Sequence, residues 1–151
     1  MEIINFGFLH KSPVLNVYLP ENMSLDSLRV RSSNGDILLS DFSANEMDLK
    51  TTNGDFKLSR ISSNDIQAIS TNGDINLDRI SSSNVYVETV NGDFYLSEVD
   101  GDIQGETTNG EFMLKTSTLD RSIQLESTNG DIVIQSDEEP TNVLFDIKTN
   151  N

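Results

Sequence analysis

Two short runs of alternating apolar and polar residues, separated by a polar tripeptide, recur six times along this chain. In the run before the tripeptide the paired apolar positions are Leu28/Val30, Met47/Leu49, Ile66/Ala68, Val85/Val87, Ile103/Gly105 and Ile123/Leu125. In the run after it they are Ile37/Leu39, Phe56/Leu58, Ile75/Leu77, Phe94/Leu96, Phe112/Leu114 and Ile132/Ile134. Alternation with period two predicts strands that bury one face. A further apolar residue follows in four copies, at Phe42, Ile61, Ile80 and Val99, and polar stretches such as Ser81-Ser82-Ser83-Asn84 lead into the next copy.

The tripeptide sets the period. Asn34, Asn53, Asn72, Asn91, Asn109 and Asn129 are each followed by glycine, at Gly35, Gly54, Gly73, Gly92, Gly110 and Gly130. The Asn residues are 19, 19, 19, 18 and 20 residues apart. An acid always comes next: Asp36, Asp55, Asp74, Asp93, Glu111 and Asp131. Phe145 and Ile147 continue the register toward Asn151 after an interval of 22 residues, and the extra length falls in an acidic loop around Asp137-Glu138-Glu139-Pro140.

Asn-Gly between short strands fits either a meander of hairpins or a solenoid in which the tripeptide turns a corner. Near-constant length and like residues at equivalent positions favour the solenoid, because stacking places like on like. A propeller blade needs a period of roughly 40 residues. The expected fold is therefore all-β, a parallel β-solenoid with coils of about 19 residues. One domain spans 1–151: leading strands that cover the first coil in 1–24, six Asn-Gly-acid coils in 25–136, and a partial last coil in 137–151. Parity carried through the turn points the Asn amide inward, where amides bond along the rod as a ladder. Glycine is expected to supply a positive φ, so that Gly73→Val strains the turn. The acid faces outward and accepts backbone N–H groups, and the preceding Ser/Thr pairs form hydroxyl ladders.

Composition fits a rod with a thin apolar column. Only 35% of the 151 residues are hydrophobic, yet they are regularly spaced, which separates this chain from a disordered one. The formal net charge of −15 argues against nucleic acid and anionic lipid as partners, and favours solubility. With no cysteine there is neither a disulfide nor a thiolate metal site. No apolar run approaches the roughly 20 residues of a membrane span, and Met1–Leu9 has no secretory pattern. The abrupt start suggests a domain of a longer protein. His10, beside Lys11 in a loop, has no catalytic partner in sequence.

The unit S/T-T-N-G-D-I/F-x-L, with V-L-N-V-Y-L-P at 14–20 leading into S-L-R-V-R-S-S-N-G-D-I at 27–37, resembles the bacterial toastrack domain of unknown function, an adhesin-type family found in many Gram-positive proteins. The resemblance runs from Val14 onward. It implies a single-stranded, right-handed parallel β-helix, an envelope-associated scaffold or adhesion role, and no catalytic residues or cofactor.

Three functions follow as expectations. The first is a non-catalytic surface for an unknown protein or glycan partner, with end-to-end stacking of copies consistent with a last coil that stops partway. The second is a calcium-stabilised module whose ligands are the acids Asp36, Asp55, Asp74, Asp93, Glu111 and Asp131, since carboxylates about 4.8 Å apart repel and a cation relieves that. The calcium β-roll, though, has a shorter, glycine-rich repeat with turns on both sides of each coil. The third is a carbohydrate-active β-helix enzyme, for which no acid pair stands out and Lys50, Arg60 and Arg79 read as scattered surface charges.

Overall fold

The computed structural model describes the backbone of residues 3–6 and all of residues 23–139 and 144–149. The leading segment around Val14–Leu19, the loop at His10-Lys11, Pro140 and Asn151 lie outside these residues. Ten strands follow in order: β1 Ile3–Phe6, β2 Ser24–Ser32, β3 Ile37–Lys50, β4 Phe56–Ile69, β5 Ile75–Asn91, β6 Phe94–Asn109, β7 Phe112–Thr116, β8 Ser122–Asn129, β9 Ile132–Ser136 and β10 Leu144–Thr149. Every pairing is parallel. The described residues contain no helix.

From β3 to β6 each strand is one coil, running from just after one Asn-Gly-acid turn to the next. The sheet order is β1-β2-β3-β4-β5-β6, after which the ladder divides: β7 and then β9 continue one wall, β8 and then β10 the other. Register follows the repeat, with Leu39 beside Leu58, Leu58 beside Leu77, Leu77 beside Leu96, Leu96 beside Leu114 and Leu114 beside Ile134. At about 4.8 Å per coil, six coils make a rod roughly 30 Å long. At the leading end β1 lies on β2, pairing Ile3 with Arg29 and Phe6 with Ser32.

Inward positions are those the alternation selects. Leu49, Phe56, Ala68, Ile75, Leu77, Val87, Phe94 and Leu114 are fully buried. Packing runs along the axis: the rings of Phe94 and Phe112 stack 4.2 Å apart and 4° from parallel. Gly105 makes room for that stack, because a Cβ there would come within 2.6 Å of the Phe112 ring. At the far end the core thins, and Ile132 and Ile134 are only half-buried.

The two irregular intervals have local causes. In the 18-residue interval the register shifts between Ser81 and Asn84, so that Ser82 and Ser83 oppose one residue, Gly101. Gly101 has φ +97° and sits where a Cβ would lie 2.2 Å from the Ser82 carbonyl oxygen, so glycine is required by both conformation and space. In the 20-residue interval a loop over 117–121 replaces the corner. Leu119 folds back into the core, and the nearly buried Arg121 side chain bonds Asp100 at 3.3 Å, the Thr118 carbonyl at 2.8 Å and the Thr116 hydroxyl.

Candidate functional site

The repeated turn is where sequence singles out residues, so its geometry comes first. Parity fails at the turn: Thr52 and Asn53 are consecutive exposed residues, and the same break occurs at Thr71-Asn72 and Thr108-Asn109. The Asn amides therefore line the outside of the rod, not its interior. Burial alternation breaks between the residue before the Asn and the Asn itself. The ladder still forms. Nδ2 of Asn53, Asn72, Asn91, Asn109 and Asn129 donates to Oδ1 of the preceding Asn at 2.8, 2.9, 2.8, 2.8 and 2.9 Å.

The inner side of the corner is closed by the residue two before each Asn. Thr51, Ser70, Thr89, Thr107 and Ser127 are buried, and each hydroxyl donates to the glycine carbonyl of the preceding coil at 2.9–3.4 Å. These hydroxyls cap carbonyls and do not form a ladder with one another.

The turn glycines are also there for a different reason than expected. Only Gly130, at φ +149°, has a left-handed φ; Gly35, Gly54, Gly73, Gly92 and Gly110 do not. What excludes a side chain is stacking. A Cβ on Gly54, Gly73, Gly92, Gly110 or Gly130 would lie 1.9–2.2 Å from the glycine carbonyl oxygen of the coil before. The left-handed corner sits elsewhere, at Asp41, Arg60, Arg79 and Glu98, with φ between 48° and 56°. These residues are 19 apart, so their spacing was visible in sequence, but nothing in their residue types marks a left-handed corner.

The acid column lies outside and serves the turn. Oδ1 of Asp36, Asp55, Asp74 and Asp93 accepts the backbone N–H of the acid one coil later at 2.9–3.0 Å. Among the described residues no group of three or more His, Asp or Glu gathers in a way that could hold a metal ion. Lys50, Arg60 and Arg79 pair with acids outside the column: Asp48 at 3.8 Å, Asp41 at 2.5 Å and Asp78 at 2.7 Å. The hydrogen bond from Arg60 holds the Asp41 carboxyl below the usual carboxylate range. Tyr95 stands beside the column, and the Asp93 charge foremost raises its phenol above the ordinary value.

Two outer faces flank the turn. The face before it carries a shallow trough of about 510 Å3. One column along it reads Asp48, Gln67, Tyr86, Gln104, Gln124, and a second begins Glu46, Asp65, Asn84, Asp102. Tyr86 lies midway, its hydroxyl donating to Glu88 at 2.8 Å. Burial foremost, then that bond, raises its phenol well above the ordinary range. These residues carry no sequence signal, because they occupy outward positions whose types vary from coil to coil. The face after the turn carries an exposed apolar ribbon, Tyr95, Met113 and Val133, on adjacent strands.

A family model described as Toastrack DUF4097 matches residues 3–151. No curated protein and no solved structure matched the chain.

Proposed function

The chain belongs to the Toastrack DUF4097 family, a domain of unknown function, and from that premise we propose that it is a non-catalytic scaffold of the cell envelope. It holds its outer faces rigid for contact with a protein or glycan partner. The observation that carries this reading is the trough before the turn. There a stack of parallel strands sets amides, carboxylates and the Tyr86 phenol in straight columns along the rod. A column repeating every 4.8 Å or so suits an extended ligand with many hydroxyl or amide groups, and an aromatic ring among polar groups gives such a ligand an apolar face to lie on. The turn ridge supports a structural role for the acids, since each Oδ1 from Asp36 to Asp93 is already engaged by a backbone N–H. The envelope placement rests on the family resemblance of the repeat.

The test is a glycan array, together with cross-linking to envelope proteins. Both use the wild-type chain and the Tyr86→Ala variant, with and without calcium. Retention of a ligand that is weakened at least about tenfold by Tyr86→Ala, and is indifferent to calcium, is the expected outcome; tenfold corresponds to about 1.4 kcal/mol. Retention unaffected by Tyr86→Ala, or no retention in either format, contradicts the reading.

A further inference from the structure

The six repeated turns are Asn-Gly sequences, the pairing most open to spontaneous deamidation because glycine offers no side chain to hinder attack. The glycine nitrogen bonds to the Asn side-chain carbon, and the carboxamide nitrogen leaves as ammonia, taking up the glycine N–H proton. Water then opens the resulting succinimide to aspartate or isoaspartate. The reaction needs the glycine N–H free to lose its proton and the carboxamide free to swing onto that nitrogen.

The stack engages the glycine N–H at five turns and holds the carboxamide at both ends at four of them. The N–H groups of Gly35, Gly54, Gly73, Gly92 and Gly110 donate to the Asn carbonyl of the following coil at 2.9, 3.1, 3.0, 3.0 and 3.0 Å. The carboxamides of Asn53, Asn72, Asn91 and Asn109 are held at both ends, donating to one neighbour and accepting from the other. Because each glycine N–H points to the coil that follows, protection has a direction. Asn34 is at the first turn, yet Gly35 is covered by Asn53. Among the described residues the arrangement ends at Asn129. Its side chain donates to Asn109 and to the Thr108 carbonyl, but its own Oδ1 and the Gly130 N–H meet no partner among the described residues. Gly130 is also the one turn glycine with a left-handed φ.

We propose that Asn129 is a deamidation site of this protein and that the stacked turns protect the other five Asn-Gly pairs. The product adds one negative charge to a net −15 and replaces the donor facing Asn109 Oδ1 with an oxygen, so the ladder loses its last rung.

Site-resolved mass spectrometry of the intact chain, aged at mildly alkaline pH, tests this against the same chain aged in denaturant. Opening free energies within one fold range from near zero to the full stability, and each 1.36 kcal/mol is about tenfold in rate. The expected result is deamidation at Asn129 at least about tenfold faster than at each other site, with the six rates converging in denaturant. Asn129→Gln should remove the fast component and leave the other five rates unchanged. Equal rates at Asn34 and Asn129 would mean simple fraying of both ends and would overturn the proposal. So would a rate at Asn129 no higher than at Asn72, or a fast component that survives Asn129→Gln.

Discussion

At the scale of single residues, two positions that look alike in sequence are not equivalent. Gly73 stacks on Gly54, and a Cβ would lie 2.0 Å from the Gly54 carbonyl oxygen. Gly35 has as its nearest described neighbour the Ser32 hydroxyl, at 3.3 Å. Neither has a left-handed φ, so the difference is purely one of space. Overpacking against side chains costs about 1–3 kcal/mol, and here the obstacle is backbone, so Gly73→Ala should lose at least about 2 kcal/mol. Gly35→Ala should stay within about 1 kcal/mol of wild type, helped by the lower entropy of its unfolded chain. Thermal unfolding of the two variants checks both, and a similar loss in each would show that the stacking distance is not the constraint. The need for glycine was legible in the sequence, but its cause was not. Spacing reports that a residue is required six times over, while whether φ or close approach requires it depends on where the corner falls. For the same reason continued alternation places the Asn amides on the wrong side of the wall. Alternation is informative along a strand and loses its meaning at a bend.

At the scale of the strand, the apolar alternation carried nearly all the information needed. Each strand from β3 to β6 buries its alternate residues because the pleat sends them to one side, and the 19-residue period then sets each onto its equivalent. Leu77 is fully buried between Leu58 and Leu96, whereas Ile134, in the same column, is half-buried at the end of the stack. Leu77→Ala should cost about 2–5 kcal/mol, and Ile134→Ala less than half as much, in chemical denaturation. Equal costs would contradict a core that thins toward its end. What the pattern did not locate were the adjustments: the residue missing beside Gly101, opposite Ser82 and Ser83, and the loop in which Leu119 and Arg121 replace a corner. Both were visible as intervals of 18 and 20, but an interval gives the size of a change without its place. The trough was less legible still, since Gln67, Tyr86 and Gln104 become neighbours only once the register is known.

At the scale of the whole molecule, the rod is a one-dimensional object. Each coil rests on its neighbours, and its polar composition follows from having much surface around a thin core. The functional reading inherits this: a rigid stack displays outward side chains in straight columns, and contacts made along the axis use several coils at once. Everything above depends on equivalent residues being parallel neighbours one coil apart. The natural chain has no cysteine, so a single engineered pair tests this without interference. Lys57 and Asn76 face outward on adjacent coils in register, at the spacing of neighbouring strands, which lies within the roughly 4.4–6.8 Å that a disulfide spans between Cα atoms. A hairpin meander turning on Asn72-Gly73 would instead oppose Ile69 and Asn76. The stack predicts that Lys57→Cys/Asn76→Cys oxidises readily to an intramolecular disulfide and Ile69→Cys/Asn76→Cys does not; the reverse pattern would contradict it.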